Sequence, residues 1–222
     1  MSKQTGRAWV FGDDVDTDLI YHNKYLAETD PGQMPQYAFE YYPGMERFAK
    51  EVKPGDFVVA GKNFGCGSSR EHAVYCLQYA GVPCLLVETC SRIYYRNAIN
   101  NGYPVLFIKG MSQAIQRGEI RTGDQLEVDL ESGTVRDVDT GAVLHGDAVS
   151  DLERDIMQAG GLFSYMKTVS YTHLTRPAGQ RRTGHPPPAS GGAGPGSPQA
   201  VPGPGDTAGT AAPAAARQWM CP

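Results

Sequence analysis

Short apolar runs set between glycine, proline and polar clusters give this chain its rhythm. Residues 8–11, 56–61, 84–87 and 105–108 are strand-sized apolar runs. Residues 71–80 carry helical spacing and stop at Gly81-Val82-Pro83. Residues 92–100 do the same, opened by Ser91 as a cap and closed by Asn101-Gly102. Strand, helix, strand, helix, strand at this spacing predicts parallel strands joined by crossover helices. Residues 21–54 are rich in Tyr, Pro and Gly and weakly periodic. They predict a long loop with short helices near 36–42 and 45–52, and a long loop in a compact domain is often functional. The pattern then changes. Turn signals at Gly123-Asp124, Ser132-Gly133 and Thr140-Gly141 frame runs at 125–130, 134–138 and 142–144, a β-rich meander. Ser150-Asp151-Leu152-Glu153 fits a capping box that opens a last helix to Gln158, ended by Gly160-Gly161. The expected class is an α/β domain with a β-rich appendage.

Composition changes this picture at one place. Residues 176–222 hold 10 Ala, 10 Pro, 9 Gly and 4 Arg, with one Val and no Ile, Leu or Phe. Such a stretch cannot bury enough apolar surface to offset chain entropy. The folding domain is therefore expected at 1–167, and 168–222 is expected to be a disordered Pro/Gly/Ala-rich tail. Residues of that kind are specified by GC-rich codons. The tail reads as translated GC-rich DNA joined near 170–175, the alternative being a genuine tether.

Charge narrows the function classes. The chain has 20 Lys+Arg against 24 Asp+Glu. Leaving out the tail's four Arg and one Asp gives 16 against 23 in residues 1–175, a net charge of -7. A domain this acidic is a poor nucleic-acid binder. No apolar run approaches the roughly 20 residues of a membrane span. Residues 1–18 contain no apolar leader segment, so a cytoplasmic protein is expected. Cys66, Cys76, Cys84, Cys90 and Cys221 form no CxxC pair and no zinc spacing. Reduced thiols and no bound metal are the expectation.

The chemistry-bearing stretch is Gly61-Lys62-Asn63-Phe64-Gly65-Cys66-Gly67-Ser68-Ser69-Arg70-Glu71-His72-Ala73. Unpaired backbone N–H groups at a helix start bind anions, serine hydroxyls add donors, and an arginine fork matches a carboxylate. The residues alone leave two readings open. One is a site for a small carboxylate or phosphate. The other is a helix start at which Ser68 or Ser69 merely caps. The dinucleotide fingerprint fails because Arg70 stands where its third glycine belongs, and P-loop and nucleophile-elbow patterns are absent. Asp14, Asp16 and Asp18 alternate like a calcium loop, but Leu19 and Tyr25 stand where the glycine and glutamate are needed. An acidic loop with Asx turns is the simpler reading. Cys66 is read as a small loop residue, Arg92 and Arg96 as exposed scaffold arginines.

Gly65 to Ala73 resembles the signature of small subunits of the aconitase superfamily, and most of all those of 3-isopropylmalate dehydratases and homoaconitases. Gly12-Asp13-Asp14-Val15-Asp16-Thr17-Asp18-Leu19-Ile20 is similar to that family's first loop. Tyr25-Leu26 stands at its substrate loop, and Ser91 to Gly102 and Ile156 to Leu162 resemble later helices. The resemblance implies a swivelling β/β/α domain that pairs with a large subunit carrying a [4Fe–4S] cluster on its own cysteines, with no cofactor bound by this chain. It implies a hydro-lyase, active only with that partner. The enzyme would interconvert 2-isopropylmalate and 3-isopropylmalate by dehydration and rehydration in leucine biosynthesis, with the cluster's open iron as Lewis acid. Under it, Ser68 is the base, as an alkoxide. Gly67, Ser69 and Arg70 hold a substrate carboxylate, Tyr25, Leu26, Ala27 and Glu28 select the substrate, and Asp16, Asp18 and His72 support the loop. Relatives with Arg after Tyr-Leu take substrates with an additional carboxylate. Ala27 lacks that cation and Glu28 opposes an extra carboxylate, which favours an alkylmalate. Homoaconitase and dimethylmalate or citraconate-type hydratase subunits are the enzyme alternatives. A stand-alone carboxylate-binding module and an assembly or regulatory factor are the others.

Overall fold

The computed structural model describes residues 3–174. Four parallel strands come first: β1 (Gln4–Val10), β2 (Phe57–Ala60), β3 (Leu85–Val87) and β4 (Val105–Phe107). Three antiparallel strands follow: β5 (Gln125–Asp129), β6 (Thr134–Asp137) and β7 (Val143–His145). All seven form one sheet in the order β4-β3-β2-β1-β5-β6-β7. The meander is thus not an appendage. Gln4 to Arg7 of β1 pair with β5 and Ala8 to Val10 with β2, so one strand joins both halves. The sheet curls until its ends meet, with Ile108 bridged to Gly146 and the Asp147 N–H on the Phe107 carbonyl at 2.9 Å.

Period-two alternation then creates two cores. Ala8, Phe57, Val59, Leu86, Leu106, Leu126, Val128 and Val135 point into the curl. Trp9, Phe11, Val58, Leu85 and Val87 point out, where α3 (His72–Tyr79) and α4 (Arg92–Asn100) cover them with Ala73, Val74, Leu77, Tyr94 and Ala98. Polar satisfaction at the edge is equally specific. The buried Asp56 carboxylate accepts from Trp9 Nε1 (3.0 Å), Arg7 Nη2 (2.8 Å) and the Lys53 N–H (3.0 Å).

The segment between β1 and β2 holds α1 (Thr17–Ile20), 3-10 turns at Asn23–Tyr25 and Pro31–Tyr37, and α2 (Phe48–Glu51). The helix expected near 36–42 is the end of that second turn, followed by a bridge from Ala38 to Tyr21. Aromatic packing orders the segment instead. Phe39 stacks on Phe11 at 4.0 Å, and Phe48 meets Trp9 edge-on at 5.1 Å.

Helices α5 (Met111–Gln116), α6 (Asp151–Gln158) and α7 (Leu162–Leu174) are the remaining helices among the described residues. The capping box at Ser150 and Glu153 is formed. The expected boundary at residue 167 falls inside α7, which the sequence pattern does not announce. The Gly160-Gly161 corner does not end the helical region; it turns it. A Cβ on Gly161 would lie 2.6 Å from the Asn100 carbonyl. Residues 168–174, where the tail and its junction are expected to begin, lie in α7; residues 175–222, with Cys221, lie outside the described residues.

Candidate active site

Parallel strands deliver their following loops to one edge, and ligand sites in α/β sheets form there. Here the loops after β1, β2 and β3 are tied together by a continuation of strand pairing. Asp16 bridges Cys66 and Phe64 bridges Cys90. The Gly65 N–H reaches the Val15 carbonyl at 2.7 Å, and the Thr17 N–H reaches that of Cys66 at 2.8 Å. Ser91 caps α4 by accepting from the Tyr94 N–H and donates from the same hydroxyl to the Gly65 carbonyl at 2.5 Å.

Two glycines are dictated by this closeness. Gly65 has φ of 68°, and a Cβ there would sit 2.5 Å from the Tyr94 ring. Gly67 has φ of 101°, and its Cβ would sit 2.6 Å from Asp16 Oδ2. The Asp16 carboxylate is itself committed, because it caps α1 by accepting the Asp18 N–H at 2.7 Å.

Ser68 and Ser69 are exposed. Neither caps α3, which starts at His72 with Glu71 in the cap position and no side-chain cap bond. The capping reading of the two serines is therefore not what forms. The Ser68 N–H donates to Thr17 Oγ1 at 3.0 Å, and the two hydroxyl oxygens lie 3.4 Å apart. Asn97 of α4 donates to the Ser69 carbonyl at 3.1 Å.

Arg70 is half-buried. Its Nη1 pairs with Asp18 and lies 3.4 Å from the Tyr21 carbonyl. The bond from Arg70 holds the Asp18 carboxyl below its ordinary value. Tyr21 extends the connection. Burial pushes its phenol up to about 12, its ring stacks on His72 at 5.3 Å, and its hydroxyl donates to the Tyr25 carbonyl at 3.1 Å.

Tyr25 stacks on Tyr37 at 3.9 Å. Leu26 and Ala27 are exposed beside it. Glu28 closes a turn, its carboxylate accepting the Asp30 N–H at 2.9 Å. Asp16, Asp18, Gly67, Ser68, Arg70 and His72 thus share one contact network, and the 25–28 segment joins it through Tyr21. Thr17, Tyr21 and Asn97 also belong to the network; Thr17 and Asn97 lie in stretches that carry the family resemblance, but none of the three is an expected site residue.

Among the described residues no group of three His, Cys, Asp or Glu side chains could hold an ion. Cys84 lies inside the curled sheet and Cys76 on the buried face of α3, each with its thiol pushed up by burial. These donors do not fit an iron–sulfur cluster, which takes several thiolates converging on one point. Nor is any helix among the described residues long and apolar enough to cross a membrane.

The strand-end site on a curled sheet defines a class. Residues 14–110, from the first loop to the turn after β4, match the family model of the aconitase C-terminal domain. Whole-length relatives narrow it. The chain is 46% identical over 163 residues to the isopropylmalate/citramalate isomerase small subunit of Methanocaldococcus jannaschii, covering 73% of this chain and 92% of that one. It is 44% identical over 165 residues to the 3-isopropylmalate dehydratase small subunit of Aquifex aeolicus, covering 74% and 95%. A crystal structure of 3-isopropylmalate dehydratase (leuD) from Methanocaldococcus jannaschii superposes with a TM-score of 0.70 at 38% identity, over 78% of this chain and 98% of that one. The chain belongs to the family of 3-isopropylmalate dehydratase small subunits.

Proposed function

We propose that this chain is the small subunit of a hydro-lyase that interconverts 2-isopropylmalate and 3-isopropylmalate, and that it supplies the base and the carboxylate grips. The observation that carries the reading is the Ser68-Ser69-Arg70 run. Its two serines are exposed and do not cap a helix, and the run is held by hydrogen bonds with Thr17, Asp18 and Asn97. An enzyme site needs reactive groups that are fixed yet uncovered, and this run meets both conditions.

In this reading Ser68 Oγ, as an alkoxide, takes a proton from a substrate carbon. The C–H electron pair becomes the π bond of the alkene, and the C–O bond breaks with its pair on the departing hydroxide. Return of water to the neighbouring carbon gives the isomer. The departing hydroxyl needs an electrophile, which this chain's donor set does not provide. A [4Fe–4S] cluster on the large subunit would supply that Lewis acidity. Arg70, its Nη1 engaged, directs its other N–H donors to a substrate carboxylate, with Ser69 Oγ and the Gly67 backbone beside it. Leu26 and Ala27 offer an apolar surface to an alkyl group. The thiols Cys76, Cys84 and Cys90 support a reducing, cytoplasmic setting.

The test combines this chain anaerobically with a cluster-loaded large subunit. Alkene absorbance is followed from 2-isopropylmalate, 3-isopropylmalate, citramalate, dimethylmalate and homocitrate. The expected result is turnover of the isopropylmalates by the pair and by neither chain alone. Absence of turnover on all five would leave a carboxylate-binding module. A Ser68→Ala chain that assembles and turns over normally would refute the base assignment.

A further inference from the structure

Serine is a very weak base, so the alkoxide at Ser68 needs a stabilising neighbour. Arg70 is the obvious cation, but Asp18 and the Tyr21 carbonyl occupy its Nη1. The salt bridge cancels much of its charge at Ser68. Helix α3 begins only at His72. Asp16, against Gly67, and Asp18, against Arg70, are carboxylates that would oppose a negative oxygen there.

Thr17 is placed differently. Its residue is 1% exposed, so its hydroxyl has no solvent partner. Its oxygen already accepts the Ser68 N–H at 3.0 Å, and Ser68 Oγ lies 3.4 Å away. With one lone pair used by Ser68 N–H, the hydroxyl proton is free to point at Ser68 Oγ. At 3.4 Å that contact is slack for two neutral hydroxyls, which prefer about 2.7–2.8 Å. Against a charged oxygen it shortens and strengthens, since hydrogen bonds to oxyanions are both shorter and stronger than neutral ones. By stabilising the alkoxide it raises the fraction of Ser68 that is ionised in the enzyme–substrate complex, and so raises kcat without tightening substrate binding.

We propose that Thr17 is the positioning residue of the base. It fixes the Ser68 backbone through the N–H it accepts, and it stabilises the Ser68 alkoxide through the O–H it donates. This rests on Ser68 being the base in the reading above.

The experiment uses the assembled two-subunit enzyme with Thr17→Val, Thr17→Ser and Thr17→Cys. Thr17→Val is expected to lower kcat about ten- to a hundredfold, the worth of one hydrogen bond to a charged oxygen, with KM within about twofold. The deuterium isotope effect from substrate labelled at the reacting carbon should rise, because proton abstraction becomes slower. Thr17→Ser keeps the hydroxyl and is expected within about threefold of wild type. Thr17→Cys, with only a weak S–H donor, should repeat the kcat loss, and it serves if Thr17→Val does not assemble. A wild-type pair that turns over nothing overturns the underlying reading and this inference with it. A wild-type pair that works overturns the Thr17 assignment alone in either of two cases. One is normal kcat in the valine or cysteine variant. The other is a loss that falls on KM, or that the serine variant shares.

Discussion

Replacing Ser91 with alanine removes two bonds made by one oxygen. The first is the N-cap of α4, accepted from Tyr94 N–H at 3.2 Å; the second is the donation to the buried Gly65 carbonyl at 2.5 Å. Losing a serine cap costs about 1 kcal/mol. Orphaning a buried carbonyl costs about 1–3 kcal/mol. The expected destabilisation is therefore about 2–4 kcal/mol. In urea it should appear as a lower midpoint at unchanged slope, and in a melt as a fall of roughly 5–15 °C for a domain of this size. Ser91→Gly separates the two contributions. Glycine is nearly as good an N-cap as serine, within a few tenths of a kcal/mol. Its loss should therefore report the Gly65 bond alone, about 1–3 kcal/mol. An alanine variant within about 0.5 kcal/mol of wild type would refute the reasoning at both bonds. A glycine variant equal to wild type would refute it at Gly65 and leave Ser91 as a cap only.

Other expectations follow from the same geometry. Gly67→Ala, at φ of 101° and against Asp16 Oδ2, should cost about 1–3 kcal/mol and reduce turnover by displacing Ser68; a thermal melt and an activity assay check it. Asp56→Asn should cost about 2–4 kcal/mol, because Arg7 and Trp9 lose a charged acceptor. Burial alone would raise the Asp56 carboxyl, but bonds from Trp9, Arg7 and Lys53 outweigh it and hold it below 3.8. Its contribution is thus present above pH 3.8 and lost as pH falls through the lowered value, which urea midpoints at pH 2–6 for wild type and Asp56→Asn would show. Asp124 runs the other way. Burial and a bond to Asp137 raise its carboxyl above 3.8, so its contribution is full below that pH and lost as pH rises through the raised value. Asp124→Asn should therefore match or exceed wild-type stability at pH 7. A wild-type advantage that grows with pH would contradict the assignment.

What the sequence made legible were features with local causes. Strands β1 to β4 follow from apolar runs, and their alternation assigns each side chain to one of the two cores. The caps at Ser91 and Ser150 were readable because capping is a short-range bond. The curl of the sheet was not readable. It depends on the Ile108–Gly146 bridge, formed between strand ends far apart in the chain. The segment from 21 to 54 has no period because its order comes from rings meeting β1, as Phe39 does on Phe11. The serines and Arg70 stood out through their motif, but Thr17 read as part of an acidic loop. Its role comes from contact with Ser68, 51 residues away, and no local pattern encodes such a contact.

The charge arrangement bears on how such a domain would work as half of the proposed enzyme. Residues 1–175 carry a net charge of -7, and the one arginine of the exposed run is matched to Asp18. In open water this site has little long-range attraction for a dicarboxylate, and salt screens what remains. Its donors are neutral hydroxyls, backbone amides and the free side of one guanidinium. Such dipoles act weakly when hydrated and strongly once water is excluded. In the proposed enzyme the cover is the large subunit. The exposed run is then a pre-set surface, held stiff by Gly65, Gly67, Thr17 and Ser91, whose hydrogen bonds gain their strength only when the partner closes over the substrate. In that proposed enzyme the isolated chain would bind isopropylmalate weakly, and affinity and chemistry would arise together on assembly.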